Sequence, residues 1–156
     1  MAFAAHGQLN RISRSGGSAL SICSVNSLDG GAWSSDGTIL FAEGTGPIYQ
    51  VPASGGVPKA VTALASNETR HTNPQPLPDG NHFLFGCFQP GNLGAVTCIQ
   101  GLRVNERSRF DGQGIADALY VEPGYLLFID GSSFTRSAST RERSSHPAGE
   151  ANWPLT

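Results

Sequence analysis

Short apolar runs recur along the chain, each following a glycine-bearing turn: TILFA at 38–42, HFLFG at 82–86 and YLLFI at 125–129. Runs of this length between turn residues predict strands, and their near-continuous apolar character predicts strands buried on both faces. Nowhere do apolar residues keep the three- and four-residue spacing of an amphipathic helix over any length. The pattern therefore predicts an all-β chain.

The runs belong to a repeat. SSDGTILFA (34–42), LPDGNHFLFG (77–86) and VEPGYLLFID (121–130) correspond, with turn glycines Gly37, Gly80 and Gly124 stepping by 43 and 44 residues. A second feature recurs between these marks, where LNRISRSGGSALSI (9–22) matches IYQVPASGGVPKAV (48–61) at an offset of 39. A step of ~40 to 45 residues containing several short strands is the signature of a β-propeller. The expected architecture is a partial propeller of roughly three four-stranded blades over residues 1–134. Blades are expected near 1–30, 31–73 and 74–117, with an incomplete one at 118–134.

Turn chemistry supports the hairpins. In Leu77-Pro78-Asp79-Gly80, Pro78 presets φ, Asp79 suits the second corner and Gly80 can take the positive φ of a type I turn with a bulge. Ser54-Gly55-Gly56 is expected to close the next hairpin, between IYQVP and a strand at Lys59 to Thr62. Beyond Phe134 almost no apolar residue precedes Trp153, so 135–156 is expected to be a disordered tail.

Composition narrows the functions. Gly and Pro number 20 and 10 among 156 residues and only 14% of residues are charged, which favours turns over helices. The net charge is −2 and no basic run could neutralise several phosphates, so nucleic acid is not an expected partner. The N-terminal residues carry no secretory leader and no window approaches a membrane span, so the chain reads as soluble. An extracytoplasmic parent protein is compatible with this, since a segment need not carry the targeting element.

The motifs GGAWSSDGTILFA, IYQVPASGGVPKAVT, HTNPQPLPDGNHFLF and EPGYLLFIDG resemble those of the TolB-like, WD-repeat-like propellers of bacteria, especially those joined to serine/threonine protein kinases. The resemblance covers about residues 2–134. It implies a ring of six or more blades in complete members and a kinase domain elsewhere in a longer protein. No glycine-rich loop with a strand lysine, no HRD-like loop and no DFG is present in this chain, so it is not expected to be an enzyme.

Candidate chemistry is sparse. Cys87 and Cys98 are symmetric about a hairpin centred near Asn92 and would lie opposite one another, within reach of a disulfide; the alternative is two buried thiols. Cys23 has no evident partner, and without Cys-x-x-Cys spacing no zinc site is expected. Among His6, His71, His82 and His146 there is no ligand spacing. His71 opens the segment leading to an inner strand, where a ligand contact or a bond to the neighbouring blade's backbone is expected; His82 reads as a structural edge residue. Asp36 and Asp79 belong to repeated turns, and Ser15 and Ser54 lack the partners of a hydrolase nucleophile. Gly44-Thr45-Gly46 and Gly112-Gln113-Gly114 lack a following helix, and Trp33 reads as an inter-blade anchor. No cofactor or metal is expected.

The leading expectation is a binding or interaction module whose partner, protein or small ligand, the residues do not name. The alternatives are an accessory propeller of a peptidase or hydrolase, and a truncated product without function. An open stack of blades should also self-associate, through strand edges at Leu40 or Leu84.

Overall fold

The repeated turns form as their residues dictate. The Gly37, Gly80 and Gly124 amides donate to the carbonyls of Ser34, Leu77 and Val121 at 3.1, 3.1 and 3.2 Å, and the three glycines take φ of +85°, +67° and +120°. The aspartates brace the turns: Asp36 Oδ1 accepts from the Thr38 amide at 2.9 Å. Asp79 Oδ1 accepts from the Asn81 and His82 amides, both at 2.9 Å. At the N-terminal end, His6 and Gly7 form a two-residue loop with φ of +53° and +72°, the handedness that lets a tight hairpin follow strand twist.

The computed structural model describes residues 1–91, 95–102, 107–109, 116–130 and 133–138, with backbone alone at 116–117, 129–130 and 133–138. The protein is all-β, with no helix among the described residues. Four antiparallel sheets follow one another in sequence. The first comprises β1 (Ala2–Ala5), β2 (Gln8–Arg11) and β3 (Leu20–Ser24). The second comprises β4 (Leu28–Trp33), β5 (Thr38–Glu43), β6 (Ile48–Pro52) and β7 (Lys59–Ala60). The third comprises β8 (Arg70–Pro76), β9 (His82–Phe88), β10 (Ala95–Gly101) and β11 (Arg107–Arg109). The fourth comprises β12 (Ala116–Val121), β13 (Tyr125–Asp130) and β14 (Ser133–Ala138). Within each sheet, chain order is spatial order.

Several expectations shift. The sheets begin at Leu28, Arg70 and Ala116 rather than at 31, 74 and 118, because the strand before each repeated turn pairs with the strand after it. The Ser-Gly-Gly hairpin closes as expected, with Tyr49 opposite Ala60 and Gln50 opposite Lys59. β14 carries the fourth sheet to Ala138, pairing Tyr125 with Ala138; ladder hydrogen bonds need no apolar side chain, so polar composition did not end the sheet at Phe134. The rest of the expected tail, 139–156, lies outside the described residues.

The core lies between sheets. β5 points Ile39 and Phe41 at the first sheet, where, with their sheet neighbour Val51 of β6, they meet Leu9, Ile22 and Val25. Its alternate residues Leu40 and Ala42 meet Phe83, Phe85 and Cys87 of the third sheet. β9 repeats the device, with Leu84 on its other face packing on Leu126 of the fourth. Burying a Leu or Phe side chain in this way stabilises by about 1.5–3 kcal/mol, so the period-two alternation of β5 and β9 glues the four sheets into a stack.

This arrangement corrects three side-chain readings. Leu40 and Leu84, 0% and 2% exposed, lie in central strands paired on both sides, so they offer no open edge. Trp33 is 42% exposed: it shares a face with Ile39 but sits at the strand end beside the turn, beyond the packed part of the interface. His82 heads the central strand β9 rather than an edge, with Nδ1 2.5 Å from Asp79 Oδ2.

Candidate functional site

β4, β8 and β12 are each the first and outermost strand of their own sheet, and each is irregular at the same place. Pairing with the next strand slips between Leu28 and Gly31, between Thr72 and Gln75, and between Ala116 and Leu119. Regular pairing resumes at Gly31, Gln75 and Leu119, successive steps of 44 residues. Bulges of this kind re-aim a strand and end its pairing. Gly30 at φ +100° and Asn73 at φ +48° carry the bend in the first two, and a Cβ on Gly30 would stand 2.6 Å from Asn73 Oδ1, so only glycine lets these strands approach.

The three bulges line an open cleft of about 430 Å³, with Gly30 and Gly31 on one side, Asn73 to Gln75 in the middle and Ala118 and Leu119 opposite. Its walls are pinned by side chains acting as strand mimics. The Gln75 amide accepts from Tyr120 N at 2.9 Å and donates to Tyr120 O at 3.1 Å, and Thr97 Oγ1 accepts from Ala118 N at 3.2 Å. Thr72 Oγ1 is buried with no partner among the described residues; its register row runs through Gly86 and Thr97, both of which line the cleft.

Beside this cleft, on the other face of the third sheet, lies a buried charge cluster. The connection from β7 to β8 crosses that face and is held by Gln100 Nε2 to Val61 O at 2.6 Å and Arg107 Nη1 to Ala63 O at 3.2 Å. It delivers Glu68, whose fully buried carboxylate accepts from the Ala65 amide at 2.7 Å, from Arg107 at 3.0 Å and from Arg109. Burial pushes the Glu68 carboxyl up, but the Ala65, Arg109 and His71 hydrogen bonds and the Arg107 charge outweigh it and hold the group at about 2.

His71 completes the cluster. Thr62 Oγ1 accepts from the Ile48 amide at 2.8 Å and stands 2.7 Å from His71 Nδ1, while Nε2 is 3.1 Å from Glu68 Oε2. The pattern assigns the proton to Nε2, donating to the carboxylate, with Nδ1 accepting from the Thr62 hydroxyl. Burial keeps the imidazole below its ordinary value, the arginines reinforce this and Glu68 opposes it. The ring is 0% exposed and its amide donates to Gly46 O at 2.8 Å. The residue thus bonds the backbone of the preceding sheet, and no solute reaches its ring in this state.

The cysteines flank the same cluster. Cys87 and Cys98 are joined in a disulfide with Cα atoms 6.3 Å apart, but they are not opposite: Cys87 faces Val96 and Cys98 faces Phe85. The strand register centres the hairpin one residue before the midpoint of the two cysteines, so the bond is diagonal. Cys23 is free and buried, its thiol pushed up by burial and by Glu43. The loop at 112–114 lies outside the described residues, as does His146.

Reasoning on sequence missed Glu68, Thr62, Arg107 and Arg109. The Glu68-x-x-His71 spacing was the available signal, but the arginines come from about 40 residues away, brought in by β11. No protein-family model matches the chain, and no curated protein is significantly similar to it.

Proposed function

We propose that this chain is a non-catalytic binding module, a four-sheet part of a β-propeller belonging to a larger sensor or kinase-linked protein, whose inner-strand cleft takes an extended peptide of a partner. The observation that carries this reading is the convergence of three bulged edge strands, 44 residues apart, on one cleft. Consecutive meander sheets whose first strands lie together are what a propeller arrangement needs. Edge strands present unpaired amides and carbonyls, and a peptide in extended form satisfies such groups along its length. The cleft volume falls in the range of about 300–1,000 Å³ common to ligand sites.

Selection of displayed peptides on the disulfide-intact chain, followed by calorimetry, tests the proposal. An enriched peptide should bind the wild type and lose affinity by at least about tenfold in Leu119→Arg, which places a charge at the cleft wall. Val57→Arg, on an 83% exposed loop residue, should leave binding unchanged. No enrichment, or equal loss in both variants, would overturn the reading.

A further inference from the structure

Glu68, His71 and Cys87 are all buried and place one ligand atom each within 4.8 Å of one another. Cys98 Sγ, bonded to Cys87 Sγ, lies beside this group rather than within its 4.8 Å span, and on reduction it is free to swing in as a fourth donor. We propose that reduction of the Cys87–Cys98 disulfide converts this cluster into a site for one zinc-class divalent ion, ligated by Cys87 Sγ, Cys98 Sγ, His71 Nε2 and a Glu68 carboxylate oxygen.

The chemistry balances. Two equivalents of a thiol reductant deliver two electrons and two protons to the S–S bond, giving two protein thiols and one reductant disulfide. The metal ion then displaces both thiol protons to solvent. Glu68 with Arg107 and Arg109 carries a formal charge of +1 when the cysteines are thiols, and two thiolates with a divalent cation leave it at +1. The arginines therefore do not repel the loaded site more than they repel the empty one.

The donor set and its surroundings suit the ion. Two thiolates, an imidazole and a carboxylate are the ligand types zinc takes in four-coordinate sites, with Zn–S of about 2.3 Å. Ligand atoms in such a tetrahedron lie about 3.3–3.8 Å apart, so the Glu68, His71 and Cys87 donors must close by roughly 1 Å from their 4.8 Å spread, and Cys98 Sγ must move in once its bond to Cys87 is broken. His71, Cys87 and Cys98 stand on the paired strands β8, β9 and β10, which sets them rigidly. With Nε2 on the metal, the imidazole proton moves to Nδ1 and donates to Thr62 Oγ1, the outer partner that orients a ligating histidine. Glu68 exchanges one arginine hydrogen bond for the metal and keeps the other. Arg107 and Arg109, 22% and 32% exposed at their side chains, are the solvent-facing members through which an ion would enter.

Cobalt(II) tests this on the whole chain, oxidised and after reduction with a phosphine. The reduced protein should bind close to one cobalt, with sulfur-to-cobalt absorption in the near ultraviolet and the strong visible bands of a tetrahedral site; the oxidised protein should bind none. His71→Gln and Glu68→Gln should each weaken the reduced-state affinity by about 10- to 100-fold. Should those variants fail to fold, alkylation of the reduced wild type decides the matter: zinc should slow modification of Cys87 and Cys98 by at least about tenfold while leaving Cys23 unchanged. Binding of less than about a tenth of an equivalent after reduction, or equal protection of all three cysteines, would overturn the proposal.

Discussion

Glu68 shows how much a single residue can matter in a chain with few charges. Its carboxylate is fully buried and satisfied by a backbone amide, a histidine and two arginines. Glu68→Gln removes the charge while Arg107 and Arg109 keep part of their solvent, so the loss should fall near the low end for broken buried pairs, about 3 kcal/mol by urea denaturation. The pH dependence follows from the same group. Its folded value near 2 lies below its ordinary 4.5, so the unfolded chain takes up the proton first, and about 3 kcal/mol present above pH 4.5 is lost as pH falls toward 2. His71, lowered from 6.5, acts with the same sign and begins to cost stability as pH falls through 6.5. Cys23, raised from 9.0, acts oppositely, since the unfolded thiol ionises first above that pH. Urea midpoints measured on the disulfide-intact chain should therefore be level between pH 6.5 and 9 and decline on both sides. Of these groups, His71 was visible in the sequence as a candidate, but its partners were not: nothing local links position 68 to 107 and 109.

At the scale of elements, the hairpins are set by turn chemistry and the sheets by alternation. Gly37 has φ +85° with nothing within 4 Å of an added Cβ, so Gly37→Ala tests backbone strain alone and should cost about 1 kcal/mol. Gly30→Ala adds a 2.6 Å clash with Asn73 Oδ1 to a φ of +100° and should cost clearly more, with both differences read from thermal unfolding. In β5, Leu40→Ala removes a fully buried side chain between the second and third sheets and should cost about 2–5 kcal/mol. These elements were legible because a strand buried on both faces must be apolar at consecutive positions, and a positive φ selects glycine. The bulges of β4, β8 and β12 were not legible, because a slip in pairing is decided between two strands rather than within one.

Across the whole molecule, the two end faces of the stack differ. On the first sheet, Gln8 and Ser21 and Ser24 form a hydrogen-bonded polar row, with Ser21 Oγ donating to Gln8 Oε1 at 2.8 Å and Gln8 Nε2 donating to Ser24 Oγ at 3.0 Å. On the fourth, Leu126 faces the third sheet, which turns the next residue of β13, Leu127, to the far side. Self-association should therefore proceed through the far face of the fourth sheet rather than through edges at Leu40 or Leu84. Leu127→Lys should shift the mass measured by light scattering toward the single chain and leave the far-ultraviolet circular dichroism unchanged. Among the described residues, no helix is long and apolar enough to cross a membrane.

The sequence by itself determined the all-β class, the repeat of 43 to 44 residues, the three glycine turns and the doubly buried strands, because φ preference and side-chain alternation act within a few residues. Only the tertiary structure decided that the cysteines pair diagonally, that Trp33 faces solvent, that three edge strands share a cleft and that Glu68 meets His71 and two arginines. Those outcomes depend on register between strands and on where a connecting loop crosses a sheet. A shift of one residue moves every side chain to the opposite face, and no local pattern records which shift the packed stack selects.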